Sequence, residues 1–221
     1  MSEGWTVTPD RGPLLFELGP LDRTDGRPAA FLDRDGILNE AVADPVSGVL
    51  ESPLDVRDVR LSPGAPIAAD ALARAGYALI CVSNQPAAAK GKVTIERLQR
   101  VHERVVELLA REGVRLDGSL LCPHHPDGVV PGLSGPCECR KPAPGMLLRA
   151  AHALNIDMGA SWMLGDTDVD VLAGRAAGCR TALIAYPGSS HKRFGHVGED
   201  LLAADLADGA TNILGEKIVK L

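Results

Sequence analysis

Residues 31–39, which read FLDRDGILN, decide the fold of this chain. The apolar run that leads into them predicts a buried strand, and two carboxylates, Asp33 and Asp35, follow it directly. Gly36 permits the sharp turn that comes next. Carboxylates at the carboxyl end of a buried strand lie where open α/β sheets bind ligands, but Asp and Gly are also common in ordinary turns. The rest of the chain has to distinguish these two interpretations.

Short apolar runs alternate with segments of helical pattern along the chain. The runs predict strands at 28–32, 77–82, 116–121, 162–164 and 181–185. Helices are predicted at 66–76, 94–112 and 144–154, from 170 to 178, and beyond 199, with a loop or short hairpin between 40 and 60. Strands that alternate with helices are typical of the α/β class with a doubly wound, mostly parallel Rossmann-like sheet.

Two segments of different composition divide the chain. Residues 1–27 are rich in Gly, Pro and charge, and we expect them to form an N-terminal arm or extension. We expect residues 28–221 to form a single domain, since this length can bury a sizeable core without staples.

Composition and charge exclude several classes of protein. Apolar residues make up 45% of the chain and aromatic residues only 3%, so the core should consist mainly of Ala, Leu and Val. The net charge is -6 without a basic stripe, which argues against nucleic acid or an anionic membrane as the main partner. No apolar run is long enough to span a bilayer, and the charged N-terminus does not resemble a secretory signal. We expect a cytoplasmic protein.

Polar side chains follow three of the predicted strands: Asp33 with Asp35, Ser83 with Asn84, and Asp166 with Asp170. The carboxyl ends of parallel strands meet at one edge of a sheet, so these side chains should gather there. Grouped carboxylates repel one another unless a cation is present, which predicts a hard ion such as Mg²⁺. Hydroxyl, amide and ammonium groups beside that ion, including Lys141, suit a bound phosphate.

A second group of residues has the spacing of a metal site: Cys122, His124, Cys137 and Cys139. Three thiolates and an imidazole can form a closed tetrahedral Zn²⁺ site, which would be structural because no position is left open for water. His125 is the alternative imidazole, and three unrelated free thiols are the alternative to a metal site. Cysteines grouped in this way indicate a reducing compartment rather than a disulfide framework, and the other two cysteines are expected in the core.

Four motifs together resemble the haloacid dehalogenase-like phosphatases: FLDRDG at 31–36, VSNQ at 82–85, Lys141, and GDTDVD at 165–170. The resemblance implies that Asp33 is the nucleophile and becomes an aspartyl phosphate. It implies that Asp35 is the general acid and base, and that its backbone carbonyl binds Mg²⁺ together with Asp33 and Asp166. Ser83 and Lys141 would bind the phosphoryl oxygens.

The Cys- and His-rich loop narrows the resemblance, because it continues directly into CRKPAPGM at 139–146. This arrangement is similar to that of the D-glycero-D-manno-heptose 1,7-bisphosphate phosphatases, which are capless and carry a zinc-clipped loop. The resemblance implies that His124 is the imidazole ligand and that Arg140 contacts a small sugar phosphate. Asn39, Asn84 and Lys90 are further expected substrate contacts. It also implies a monomer.

Two positions depart from that family's pattern. Thr167 stands where a basic residue is usual, and Lys90 stands where Arg is usual. Because Lys and Arg hold phosphate differently, the substrate preference can differ as well. The closest alternative is a histidinol-phosphate phosphatase, which has a similar zinc-clipped domain. The alternative from another class is a non-catalytic zinc-clipped binding module. The presence of the complete set of motif residues argues against it.

Overall fold

The structure is a computed structural model that describes residues 5–7, 12–16, 26–44 and 48–215. We number its strands along the chain as β1 (Trp5–Val7), β2 (Leu14–Phe16), β3 (Ala29–Leu32), β4 (Val42–Ala43), β5 (Leu50–Glu51), β6 (Ala78–Asn84), β7 (Gly118–Cys122), β8 (Trp162–Gly165), β9 (Arg180–Ile184) and β10 (Leu201–Ala203). The helices are α1 (Ala65–Arg74), α2 (Ile95–Arg111), α3 (Gly145–Leu154), α4 (Asp168–Ala177) and α5 (Leu206–Leu214). Short 3-10 helices occupy Val56–Asp58, Met158–Ala160 and Pro187–Lys192.

Eight of these strands form one sheet in the order β1-β2-β7-β6-β3-β8-β9-β10. The six strands from β7 to β10 in that order are parallel, and β2 and β1 add two antiparallel strands at the β7 edge. The remaining strands, β4 and β5, pair as a separate hairpin, as expected between residues 40 and 60. The prediction of a doubly wound, mostly parallel sheet is confirmed.

Helices cover both faces of the sheet, because the residues of its central strand alternate between two cores. Ala30 and Leu32 belong to the apolar cluster that contains buried side chains of α1, α2 and α5. Ala29 and Phe31 belong to the cluster that contains those of α3 and α4. Burying a side chain such as Phe31 contributes about 1.5–3 kcal/mol, so this strand is fixed firmly at the centre of the sheet.

The register of the sheet places the last residue of β3 beside residues near the carboxyl ends of its two neighbouring strands. Leu32 pairs with Cys81 of β6 and with Leu164 of β8. The backbone N–H of Asp33 donates to Leu164 O at 3.0 Å, which fixes the point at which the chain leaves β3. The residues that follow these three strands therefore meet at one edge.

Thr94 confirms the predicted start of the long helix α2. Its side chain accepts a hydrogen bond from the N–H of Arg97, and the helix ends at Arg111 with Glu112 as the C-terminal cap. A buried side-chain stripe at helical spacing faces the sheet: Leu98, Val101, His102, Val105 and Leu109.

The two ends of the chain differ most from the sequence-based expectations. The predicted last helix begins only at Leu206, with Asp205 as its N-cap, and the strand β10 precedes it. Within the predicted N-terminal arm, β1 and β2 join the sheet, and Leu14 is buried in the core. Much of the rest of that predicted arm lies outside the described residues. Three-residue strands carry too little pattern to be recognised, since their pairing partners lie far away in sequence.

No helix in the described part of the chain combines the length and the apolar character needed to cross a membrane.

Candidate active site

A cleft of about 580 Å³ opens at the carboxyl ends of the parallel strands. Its lining includes polar residues at the carboxyl ends of β3, β6 and β8: Asp33, Asp35, Ser83, Asn84 and Asp166, together with Lys141. Its volume lies within the range of small-molecule sites. The prediction that the separate motifs gather at one edge of the sheet is thus confirmed.

Three carboxylates crowd together on the floor of the cleft. Oxygen atoms of Asp33, Asp166 and Asp170 all lie within 4.8 Å of one another. Burial, reinforced by the neighbouring carboxylates Asp33 and Asp170, raises the pKa of Asp166 to about 8. Burial also raises the pKa of Asp33 to about 6, despite the opposing effect of Lys141. Since ionising these groups together is unfavourable without a cation, this donor set fits a hard divalent ion.

Gly36 allows the motif to pack this closely. Its φ of +86° lies in the left-handed region, and a Cβ at this position would clash with the Oδ2 of Asp166 and with the ring of Tyr186. The turn after Asp35 therefore needs glycine for its conformation and for the space beside the carboxylate cluster.

Lys141 connects the carboxylates to the neighbouring strand. Its Nζ lies 2.6 Å from Asp170 Oδ1 and 3.1 Å from Asp33 Oδ1, and it donates to Val82 O at 2.7 Å. The ammonium group is almost fully buried. Burial alone lowers the pKa of Lys141, but the Asp170 and Asp33 carboxylates outweigh burial and raise this pKa above its usual value. Lys141 therefore remains charged beside the reactive carboxylates.

Asn84 holds the backbone of Lys141 in place. Its Nδ2 donates to Lys141 O at 2.9 Å, and its Oδ1 accepts from Lys141 N at 3.0 Å. Although Asn84 lines the cleft, both ends of its amide are engaged in positioning the lysine.

Asp35 sits in a dense network of donors. Its carboxylate accepts hydrogen bonds from Arg34 at 3.1–3.2 Å, from Asn39 at 2.9 Å, and from Ser52 and Gln85 at 2.6 Å each. Burial raises the pKa of Asp35, but Arg34 and the three neutral donors more than offset burial and hold this pKa below its usual value. In this arrangement Asp35 is a carboxylate.

Arg34 is the charged residue that the sequence reasoning overlooked. Its side chain is fully buried, and besides its bonds to Asp35 its Nη2 donates to Gln85 Oε1 at 2.8 Å. Gln85 in turn donates to Ser83 Oγ at 3.1 Å. Both residues lie within motifs quoted above, so the signal was present in the FLDRDG and VSNQ stretches, but their mutual contact was not visible there. Ser52, from the loop after β5, carried no signal.

The residues expected to contact substrate occupy different depths. Ser83 lines the cleft and is buried, whereas Lys90 and Arg140 lie nearer its mouth. Asn39 is fully buried behind Asp35 and is absent from the lining of the cleft among the described residues. A direct contact of Asn39 with substrate stays a prediction, and its described contact is with Asp35.

The four candidate zinc ligands converge beside the cleft. The Sγ of Cys122 lies 3.7 Å from that of Cys137 and 3.2 Å from that of Cys139, and 3.6 Å from His124 Nδ1. A tetrahedral zinc ion with bonds of about 2.3 Å places its sulfur ligands roughly 3.7 Å apart, so the spacing fits this ion. Hydrogen bonds, chiefly from Cys139, lower the pKa of the Cys122 thiol to about 6. His125, the alternative imidazole, instead accepts from the N–H of Asp127.

The loop between these ligands lies beside the cleft, whose lining on this side begins at Arg140, directly after the last ligand. The backbone N–H of Val129 donates to Ala89 O at 2.7 Å, which joins the loop to the segment after β6. Arg140, directly after the last thiol, donates from Nη1 to His124 O at 3.2 Å. The cysteine cluster thus lies one residue from Arg140 and two from Lys141.

Comparison with known proteins places this arrangement in a family. A family model of HAD-like (haloacid dehalogenase-like) hydrolases matches residues 138–208. The D-glycero-β-D-manno-heptose-1,7-bisphosphate 7-phosphatase of Yersinia pestis is 40% identical over 185 residues, which cover 84% of this chain and 94% of that protein. The chain belongs to the haloacid dehalogenase-like heptose bisphosphate phosphatases.

A further relative and two solved structures extend the match. The enzyme of that name from Escherichia coli K12 is 39% identical over 161 residues, covering 73% of this chain and 80% of that protein. The crystal structure of D,D-heptose 1,7-bisphosphate phosphatase from B. bronchiseptica, complexed with magnesium and phosphate, superposes with a TM-score of 0.70 and 27% identity, covering 85% of this chain and 98% of that one. The structure of a putative HAD-like phosphatase from Mesorhizobium loti gives a TM-score of 0.76 at 30% identity, covering 93% and 95%.

The family resemblance predicted from the sequence is confirmed, and so are the fold class and the assignment as a phosphomonoester hydrolase.

Thr167, which stands where the sequence analysis expected a basic residue, has a defined contact in the structure. Thr167 begins α4, and its hydroxyl donates to Asp170 Oδ2 at 2.6 Å. This side chain is therefore engaged within the protein.

Proposed function

We propose that this protein is a Mg²⁺-dependent phosphatase that removes the 7-phosphate of D-glycero-D-manno-heptose 1,7-bisphosphate through an aspartyl-phosphate intermediate. The observation that carries the proposal is the pairing of Asp33 with the buried Lys141 ammonium at 3.1 Å, in a cleft that also contains Asp35. Relatives that cover most of the chain carry the name of this activity.

The first step forms a bond between an Asp33 carboxylate oxygen and the phosphorus atom. The bond between phosphorus and the sugar oxygen breaks, and that oxygen takes a proton from Asp35. Ser83 and Lys141 bind the phosphoryl oxygens, and Lys141 compensates their charge as the anionic nucleophile approaches.

The second step releases phosphate. A water oxygen bonds to phosphorus and transfers its proton to Asp35, and the bond between phosphorus and Asp33 breaks, which restores the carboxylate. The donors around Asp35 hold it in the base form that this step requires. The first step needs a proton on Asp35, so we expect substrate binding to displace one or more of those donors.

The carboxylates of Asp33 and Asp166 and the backbone carbonyl of Asp35 are the groups that would hold Mg²⁺. When bound, this ion supplies charge neutralisation between the carboxylates and the phosphoryl group. The raised pKa values of Asp33 and Asp166 support this assignment, because they mark a buried cluster of carboxylates that the one ammonium group of Lys141 does not fully compensate.

We further propose that Cys122, His124, Cys137 and Cys139 bind a structural Zn²⁺ ion that fixes the loop beside the cleft and the segment that leads to Arg140 and Lys141. We also propose that residues 28–221 form a single domain, to whose sheet the N-terminal extension adds β1 and β2, and that the protein is a cytoplasmic monomer. Light scattering during size-exclusion chromatography tests the oligomeric state.

The test of the function is phosphate release from a panel of substrates, with and without Mg²⁺. The panel contains both anomers of heptose 1,7-bisphosphate, histidinol phosphate and fructose 1,6-bisphosphate. We expect Mg²⁺-dependent release of one phosphate from a heptose anomer, and none from the Asp33→Asn variant. Preference for histidinol phosphate would reassign the substrate, and no release from any ester by folded, zinc-loaded protein would favour the non-catalytic binding module.

A further inference from the structure

The mouth of the cleft carries several cations although the chain as a whole has a net charge of -6. The side chains of Lys90, Lys92, Arg140 and Lys192 all belong to its lining. A basic rim on an acidic protein concentrates anionic ligands at that place. The four cations are not equivalent, because they come from two walls and differ in their partners.

The cations of the first wall follow β6 or the zinc-ligand loop, and two of them already have partners. Lys92 Nζ lies 2.7 Å from Glu51 Oε2, and Arg140 donates to His124 O. Lys90 is exposed on the same side.

Lys192 stands on the second wall, which follows β9. In the sheet order, β6 is adjacent to β3 on one side, whereas β9 lies two strands away on the other. The two walls therefore flank Asp33, and the ion pairs found among the described residues do not include Lys192. Thr167, which follows β8 on the same side of Asp33, is engaged by Asp170.

The second wall is fixed firmly to the catalytic floor. Arg193 Nη1 donates to Asp166 O at 3.2 Å and to Tyr186 O at 2.9 Å, and Ser189 Oγ donates to Asp166 O at 3.0 Å. The next backbone N–H, that of Phe194, donates to Asp168 Oδ2 at 2.7 Å. Lys192 lies directly before these anchors, so its backbone is held in register with the carboxylate cluster.

We propose that Lys192 binds the second, non-reacting phosphate of the substrate and so selects bisphosphates over monophosphates. This inference rests on the proposed function, since it takes the reacting phosphate to lie at Asp33. An ammonium group on a fixed backbone, facing a cleft and without a carboxylate partner in the described chain, is a suitable point charge for a phosphate dianion.

The experiment compares Lys192→Ala, Lys192→Arg, Lys90→Ala and wild type on heptose 1,7-bisphosphate and on heptose 7-phosphate. Arg149→Ala, an exposed position on α3 outside the cleft lining, is the matched control for loss of a surface charge. We expect Lys192→Ala to raise KM for the bisphosphate by about 5- to 10-fold, with kcat and the monophosphate KM changed by less than about 2-fold. Lys192→Arg should restore most of the affinity for the bisphosphate. High salt should raise the KM for the bisphosphate more in wild type than in Lys192→Ala.

An equal change for both esters, no change in either, or a loss of selectivity in Lys90→Ala alone would overturn the assignment of Lys192. Turnover of p-nitrophenyl phosphate by each variant reports separately on the catalytic floor, so failure of the proposed function is recognised independently. Calorimetric binding of the two sugar phosphates to Asp33→Asn, with and without Lys192→Ala, measures the same selectivity without turnover. A bisphosphate preference that survives Lys192→Ala there would also contradict the proposal.

Discussion

The side-chain amide of Asn84 contacts the backbone of Lys141 through both of its ends, at 2.9 Å and 3.0 Å. These two residues are separated by 57 positions in sequence and belong to different motifs. The contact makes the position of the buried ammonium group depend on the strand β6, because Lys141 itself follows an irregular loop.

Replacing Asn84 with Ala should therefore impair catalysis more than folding. Loss of two hydrogen bonds worth about 1 kcal/mol each should lower kcat/KM by about 10- to 30-fold. Steady-state kinetics measures this effect, and Asn212→Ala, which removes an exposed side-chain hydrogen bond on α5, is the control. Normal kinetics in Asn84→Ala would mean that Lys141 is positioned without this contact.

Arg34→Met tests the buried guanidinium that faces Asp35. The substitution keeps much of the volume but leaves the Asp35 carboxylate buried without its charged partner. We expect the free energy of unfolding to fall by about 3–5 kcal/mol and kcat to fall as well. In the control Arg57→Met, which breaks a pair with Asp55 on a side chain that is 83% exposed, we expect a much smaller change, because solvent screens an exposed ion pair. Similar losses in both variants, measured by chemical denaturation, would contradict the role given to Arg34.

The magnesium-free protein should lose stability as the pH rises. The pKa of Asp33 is raised to about 6 and that of Asp166 to about 8, so the folded state binds protons that the unfolded state has already released. The stability linked to these groups is complete below pH 4 and disappears as pH rises through about 6 and about 8.

Asp166→Asn isolates this effect from the other titrating groups. Between about pH 5 and about pH 8, the wild-type free energy of unfolding should fall by about 2–4 kcal/mol more than that of the variant. Denaturant titrations in magnesium-free buffer measure the difference, and added Mg²⁺ should remove it. Parallel pH profiles of the two proteins would show that Asp166 ionises normally.

Cys137→Ser tests the thiolate cluster. The variant should lose the zinc ion and unfold at a lower temperature, because structural zinc contributes directly to folding. Elemental analysis gives the metal content, and Cys179→Ser is the control, since Cys179 lies in the second apolar core and its Sγ donates to Gly174 O. Full zinc content in Cys137→Ser would rule out the four-ligand site.

The sheet and the carboxylate cluster were predictable because their signals are local. An apolar run followed directly by Asp33 and Asp35 predicts both the buried strand and the residue at which it ends. The thiol cluster was predictable for the same reason, since pairs spaced two residues apart define its ligands. The short outer strands β1, β2 and β10 were not predictable, because each has three residues and forms only by pairing with a partner already in place.

The arrangement around Asp35 lies beyond sequence reasoning. From sequence, a single arginine in a motif is expected to be a surface charge. The burial of Arg34 depends on its contact with Gln85, which follows another strand. Asn39 was expected near the sugar, but its burial behind Asp35 follows from the turn that Gly36 permits. Such contacts require the tertiary structure that brings the segments together.

The short connection from Cys139 to Lys141 has a consequence for how the protein matures. With zinc held as proposed, we expect Lys141, which binds the phosphoryl oxygens, to reach its final place only when the ligands just before it in sequence have bound their ion. A newly synthesised chain without zinc would therefore lack phosphatase activity, rather than have activity with reduced substrate selectivity. The availability of zinc would thus determine when the newly made protein begins to hydrolyse sugar phosphates.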